Sequence, residues 1–506
     1  MDRPNAGAVR LAAGRHAQGI AAAALVLGAA VAPTLALGKD DAAEKRFTID
    51  GAGVLESSSA NGFDRGTTQG FFKSLGTNGR KCSTCHIQAD AWSLTPAHAQ
   101  ALEADDPLFT PNDGSDCPPV QASQGADNSR SSQLLQYGLI RVQIAIPTNA
   151  GFALESATDP GGCAIAPGSS ENSDQLFLFR RPLPSTNLTF ESAIMWDGRE
   201  TLQPITTQAG QQSLQPLHFD LADQANSATT GHAQGASIAG SPAQADIVSF
   251  ESGLYTAQRL QLANFSGGIT LLDANGAHGG AEYLQSTVAP AFFIGLNDPL
   301  KPGFRNASFD LYAAWEPGSL GHKELSPMQK AIGRGEALFN NTRFVIHDVP
   351  GLNSTPSDPL FNAADPLAGQ DVVAGCGLCH NNPNVGNHST SLPINIGITM
   401  ASPSNNDGTP NTTLDIAHLP VYTLRNSITE AQVQVTDPGK AMISGKWTDI
   451  GKTKGPMLRG LAGRAPYFHN GSARDLATVV QFYNSRFNIG LTSEQAADMV
   501  AFLSAL

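Results

Sequence analysis

Apolar residues recur at helical spacing near the C-terminus. In "TVVQFYNSRF", residues 478–487, Val479, Val480 and Tyr483 share a face with Leu476 just upstream. The spacing predicts an amphipathic helix with Tyr483 as a core aromatic. "TSEQ", from Thr492, resembles a capping box and opens a final helix. In "LSPMQKAIGRGEALFN", Ser326 is a good N-cap and Pro327 a good first helical residue. Ala331, Ile332, Ala337, Leu338 and Phe339 then fall near one face. "TPAHAQALEAD", with His98, reads as a solvated helix, and "LIRVQIAIP" alternates enough for a short strand. Residues 100–175 are rich in Pro, Gly, Asn and Ser, and residues 225–245 read as a loop with an ambiguous helical start. The pattern predicts a mainly α fold with long loop insertions and a few short strands.

The 506 residues are enough for two to four domains. Charged residues are sparse, at 15%, while Gly (51) and Pro (32) are frequent, so ordered loops are expected in place of a helical bundle. A net charge of -13 argues against nucleic acid or an anionic membrane surface as partner. Residues 1–38 read as a signal peptide, with Arg3, Arg10 and Arg15 leading an uncharged Ala-rich stretch, Gly19 to Gly38. Cleavage there predicts an exported, periplasmic protein without stable membrane insertion. Residues 39–320 and 321–506 form the two expected domains.

Six cysteines in an exported chain suggest disulfides. Four instead form two motifs, Cys82-Cys85-His86 in "CSTCH" and Cys376-Cys379-His380 in "CGLCH". C-x-x-C-H is the attachment sequence of c-type haem. Two thiols bond the porphyrin, and the next histidine lies beneath the iron as its proximal ligand. The motifs are too far apart for a zinc ribbon, and a redox dithiol does not need the histidine twice. Two covalent haem c groups are therefore expected, each with a helix before it and helices after it, the arrangement of two cytochrome c-like domains in a mainly α fold. Cys117 and Cys163 lie in Gly/Pro/Asp-rich loops and are expected to pair as a disulfide.

"KCSTCH", "RRPLPSTNLTFESAIMWDGRE", "LSPMQKAIGRGEALFN", "CGLCHNNPNVGNHS", "TKGPMLRGLAGRAPYFHNGS" and "VVQFYNSRF" together carry a resemblance over nearly the whole mature chain. The chain resembles a bacterial dihaem cytochrome c peroxidase, and more closely the MauG-type branch. The resemblance implies an N-terminal peroxidatic haem on His86 and a C-terminal electron-transfer haem on His380. In that family the distal ligand of the second haem follows the histidine of "APYFH", here His469, by fourteen residues. That position holds Tyr483, where many members have methionine and the MauG branch has tyrosine. A phenolate oxygen favours high oxidation states, suiting a pair that shares a bis-Fe(IV)-type state. Met442 and Met457 are the candidate thioethers if Tyr483 is not the ligand.

The resemblance also makes Trp196, in "MWDGRE", a relay between the haems. In the distal pocket it aligns Gln224 with the family glutamine and Gln234 with the family glutamate, so the usual acid is missing. His232, beside Gln234, is a candidate base with a pKa naturally near neutrality. His98 is the nearest candidate for a gating ligand of the first haem, which is expected to be open. Calcium is a further implied cofactor: Arg464 and Pro466 match its carbonyl ligands, but its asparagine is replaced by Arg181. The expected activity is reduction of hydrogen peroxide, with a small electron-donor protein or an oxidisable substrate as partner. The alternatives are a dioxygen-using enzyme of the rubber-oxygenase type and a non-catalytic electron-transfer cytochrome.

Overall fold

The structure is a computed structural model that describes residues 44–63, 70–110, 132–161, 175–202, 215–262 and 268–506. The proposed signal segment and both Cys117 and Cys163 lie outside the described residues. Residues 44–506 make one unit. No helix among the described residues is long and apolar enough to cross a membrane.

The largest sheet has the order β1 (Glu44–Ile49), β2 (Gly53–Ser59), β6 (Leu254–Leu262), β7 (Ile269–Leu271), all antiparallel. Its inner strand β2, "GVLESSS", is almost entirely buried despite its polarity. The serines are tolerated because partners meet them: Ser57 Oγ lies 2.9 Å from Thr256 Oγ1, and Ser59 Oγ donates to the Gly62 carbonyl at 2.9 Å. Strand β3 (Ile140–Ala145), inside the expected "LIRVQIAIP", pairs with β5 (Gln175–Arg180). Strand β4 (Phe152–Thr158) joins a sheet with β10 (Val421–Asn426) and β11 (Gln432–Val435), so early and late parts of the chain share one ladder. A short hairpin, β8 (Phe344–Ile346) with β9 (Val372–Ala374), completes the described strands.

This corrects the mainly α expectation. Among the described residues 30% are helical and 18% are extended, with the strands spread over several sheets. Much of what reads as loop before residue 320 is antiparallel strand. Serine-rich β2 has no apolar/polar alternation to betray it, because both faces are covered: Trp92 Nε1 donates to Ser57 Oγ on one, and the Ala281 amide donates to Glu56 on the other.

The helices follow their local signals more closely. They are α1 (Pro96–Ala101), α2 (Ser132–Tyr137), α3 (Gln215–Gly231), α4 (Pro242–Ser252), α5 (Pro327–Asn341), α6 (Leu476–Arg486) and α7 (Ser493–Ser504). Both Ser326 and Thr492 form complete capping boxes, with Gln329 and Gln495. Helices α5 and α7 touch backbone to side: a Cβ on Gly335 would sit 2.1 Å from the Asp498 carbonyl oxygen. Arg334 grips Asp498 with two bonds of 2.7 and 2.6 Å across the same contact. Of the 225–245 stretch, residues 225–231 end α3 and 242–245 open α4, while 232–241 form the expected irregular connection. In α3, Leu217, Leu221 and Ala225 supply a buried stripe sparse enough to be missed.

Candidate functional site

Each C-x-x-C-H motif forms one tight turn. In the first, the His86 amide donates to the Cys82 carbonyl at 3.0 Å; in the second, the His380 amide donates to the Cys376 carbonyl at 2.9 Å. Two cysteines three residues apart on such a turn share one face. All four thiols are free.

Each histidine is then oriented by a carbonyl. His86 Nδ1 lies 3.2 Å from the Trp92 carbonyl oxygen, and His380 Nδ1 lies 2.7 Å from that of Gly386. This bond engages Nδ1 and leaves Nε2 for a metal, the usual arrangement of a ligating imidazole. The backbone is bent to achieve it. Ala91 and Trp92 are both left-handed, with φ of 51° and 61°, a conformation a bulky side chain adopts only when its surroundings impose it. Gly386 has φ of 80°, and a Cβ there would meet Leu458 and Phe309 at 2.8 Å.

Both turns open into clefts. The first is lined by Cys82, Cys85 and His86 from below, and by Gln224, Ala228 and His232 along α3 and its end. The second is largely apolar and holds Cys376, Cys379, His380 and Tyr483. Mouths included, they enclose about 1170 and 1590 Å³. Paired thiols, an oriented imidazole and this space fit a covalently held haem c at each motif.

Tyr483, on α6, faces the second cleft, its ring 6.4 Å from that of His380 and inclined at 72°. No hydrogen bond reaches its hydroxyl among the described residues, and burial pushes its pKa up, so the phenol keeps its proton without a metal. Of the two methionines, Met457 lines this cleft. Met442 is instead packed with Phe152, Tyr422 and Trp447 in a separate core.

Trp196 lines both clefts. Its Nε1 donates to the Arg181 carbonyl at 2.8 Å, and its ring meets His469 edge-on at 6.1 Å. The next residue, Asp197, binds Arg180 and Arg199, while Arg180 also grips Asp437 at 2.7 and 2.9 Å. Burial would raise the Asp197 carboxyl, but the two arginines outweigh it and hold the pKa near about 2. The tryptophan loop is thus tied to a permanently ionised network.

Among the distal candidates, Gln224 and His232 do line the first cleft. Asn78 and Arg80 donate to the His232 carbonyl at 2.9 and 3.3 Å, fixing the end of α3. Burial, then Arg80 and His86, lower the His232 pKa to about 4, so it is neutral at pH 7 and not poised near neutrality. Gln234 is exposed at φ 53° beyond the helix and does not line the cleft. His98 pairs with Asp90 at 3.8 Å, away from the cleft. A carboxyl that the sequence left unassigned does line it: Glu251, 5% exposed, with Oε2 unpartnered and its pKa pushed up to about 8 by burial.

The calcium ligands do not fit a metal. Arg181 Nη2 donates to the Arg464 carbonyl at 3.0 Å, and Nη1 donates to those of Tyr137 and Gly138 at 3.1 Å. Burial lowers this guanidinium only to about 9, so it is still a cation at pH 7. A calcium ion would meet a like charge on the carbonyl it needs. No cluster of three His, Cys, Asp or Glu suited to a metal occurs among the described residues. Chelation with EGTA is therefore expected to move the Tm by less than about 1 °C; a larger fall, with recovery on adding calcium, would show that the ion is bound.

No protein-family model matches the chain. Over 143 residues, 26% of this chain and 36% of the relative, it is 32% identical to the cytochrome-c peroxidase IdrP2 of Denitromonas iodatirespirans. Over 146 residues, 26% of this chain and 37% of the relative, it is 32% identical to the cytochrome-c peroxidase IdrP1 of the same organism. The match thus spans little more than a third of the length of these curated relatives. Over that part, the chain is similar to cytochrome-c peroxidases.

Proposed function

We propose that this chain is an exported dihaem c-type peroxidase that reduces hydrogen peroxide and oxidises a partner or substrate one electron at a time. The observation that carries the reading is Trp196 in the shared wall of two C-x-x-C-H clefts. A haem held at each motif by Cys82, Cys85 and His86 or by Cys376, Cys379 and His380 would supply the redox chemistry that peroxide reduction needs.

The residues divide the remaining work. His86 and His380 hold the irons from the proximal side. His232, neutral at pH 7, takes a proton from the near peroxide oxygen and returns it to the leaving oxygen. Gln224 orients the peroxide by hydrogen bonding. Trp196 passes the electron between the clefts. Tyr483, lining the second cleft across from His380, would offer its phenol oxygen to the iron there, and an oxygen donor would favour the oxidised side of the couple. Residues 39–320 and 321–506 each serve one haem.

Electron paramagnetic resonance of the ferric holoprotein, before and after one equivalent of peroxide, tests the reading. The expected result is one high-spin and one low-spin haem, both losing their ferric signals. Tyr483→Phe is expected to convert the low-spin signal to high-spin or to a new ligand set, and to stop the second haem from sharing the oxidation. Two low-spin haems that ignore peroxide would sink the peroxidase reading and leave an electron carrier.

A further inference from the structure

A third cleft lies against the second. It encloses about 1810 Å³, mouth included, and shares Pro466 with the second cleft as a common wall. Its lining mixes polar and apolar side chains, and Asp50, Asp90, Asp415 and Tyr137 belong to it. Ser472, only 2% exposed, also lines it with an unpartnered Oγ.

Tyr137 is built in with unusual care for a half-exposed residue. It ends helix α2, and its ring stacks on His418 at 3.5 Å between centroids and 5° between planes. Gln133, one turn earlier on α2, donates to the His418 carbonyl at 2.6 Å and so holds that ring in place. The Tyr137 hydroxyl donates to Asp415 Oδ2 at 3.3 Å. That is a phenol with a carboxylate poised to take its proton, at a length common for such contacts before a site is loaded. On the inner side, the Tyr137 carbonyl accepts from Arg181 Nη1 at 3.1 Å, and the Arg181 carbonyl accepts from Trp196 Nε1 at 2.8 Å. A continuous bonded route therefore links this surface phenol to the tryptophan between the clefts.

We propose that Tyr137 is a surface oxidation site, at which small phenolic or hydroquinone-type donors reduce the protein. The inference rests on the peroxidase reading for its oxidant. In the first step the Tyr137 phenol gives one electron, through Arg181 and Trp196, to the peroxide-oxidised haem pair, and its proton to Asp415. This leaves a neutral tyrosyl radical and lowers the pair by one oxidising equivalent. In the second, a hydroquinone gives a hydrogen atom to the tyrosyl oxygen, restoring the phenol and leaving a semiquinone, while Asp415 returns its proton to water. Two such cycles consume both equivalents of one peroxide. The donor class follows from the lining: a neutral ring with hydroxyls stacks beside Tyr137 and donates to the aspartates and Ser472, whereas an anion meets three carboxylates against the one cation of the lining, Arg474.

The test uses ferric holoprotein, freeze-quenched after one equivalent of peroxide without donor. The wild type is expected to show a tyrosyl radical that Tyr137→Phe lacks. In turnover, the ratio of hydroquinone to ferrocyanide oxidation is expected to fall at least about tenfold in Tyr137→Phe, because the anion does not depend on this cleft. Asp415→Asn is expected to delay the radical. A tyrosyl radical of undiminished yield in Tyr137→Phe, or an unchanged ratio, overturns the proposal. If the ferric signals of the wild type survive peroxide, the peroxidase reading has failed instead. The radical arm is then driven with hexachloroiridate(IV), and its loss in Tyr137→Phe is still required.

Discussion

Replacing Cys376 and Cys379 together by alanine is expected to cost the protein most of its stability along with one cofactor. The second cleft is walled by side chains that belong to three separate cores. Leu476, Val480, Met499 and Leu503 come from the α5–α7 core, Ile394 and Phe487 from the core around the β8–β9 hairpin, and Met457 from a third. With a macrocycle in place these residues face apolar matter. Without it they line an open, largely apolar cleft with nothing to pack against. The loss is expected to reach about 5 kcal/mol or more, comparable with the whole stability of a typical domain. Thermal unfolding is expected to begin about 10 °C lower, if the variant accumulates at all. The matching Cys82/Cys85 change removes the peroxide site but is expected to destabilise less. Its cleft is smaller and carries Lys73, Arg80, Arg199 and Gln224, which water can serve. Denaturing haem stain and melting curves of the two double variants would decide it. An unchanged melt for the second pair, or a reversed order, would show that its haem is not part of the core.

The same contrast explains what could be read before the fold was known. The attachment turns carry their chemistry in five contiguous residues, and the capped helices α5 and α7 carry their start signals within one turn. Such features are local and so legible. Tyr483 has one periodicity and two meanings. It lies on the apolar stripe of α6, yet that stripe faces a cleft that only a cofactor would close, and no pattern of apolar residues separates the two. Met442 and Met457 are chemically equal in the sequence, and only tertiary packing sends one under a sheet and the other into the cleft. His232 and Gln234 both follow the end of α3, two residues apart, yet one lines the cleft while the other, left-handed at φ 53°, meets solvent. Glu251, near the end of α4, reads as an ordinary solvated carboxylate until the helix is packed against the first cleft. The strands were illegible for a related reason. Burial of β2 comes from neighbours far along the chain, and hydroxyl pairs such as Ser57 with Thr256 let polar residues occupy the interior.

Trp196→Phe is expected to separate the two haems functionally while leaving each in place. Phenylalanine keeps an aromatic ring but loses the indole N–H, so the Arg181 carbonyl loses its 2.8 Å partner. The smaller ring also opens the wall common to both clefts. Stability should fall by about 1–3 kcal/mol, from one unsatisfied buried carbonyl and the missing volume. The effect on turnover should be much larger. Peroxide still reaches the first cleft, where His86, Gln224 and His232 are untouched, so the ferric signal of the first haem should still disappear. The second haem should keep its signal on the same timescale. With the equivalents no longer shared, donor oxidation should slow by about 100-fold, equivalent to about 2.7 kcal/mol on the barrier. The Arg180–Asp197–Asp437 network holds the loop independently of the indole, so the backbone at this position is expected to stay in place. Rapid-freeze resonance spectra read the two irons separately. If both ferric signals vanish together in Trp196→Phe at the wild-type rate, electrons cross by another route and Trp196 is only a wall.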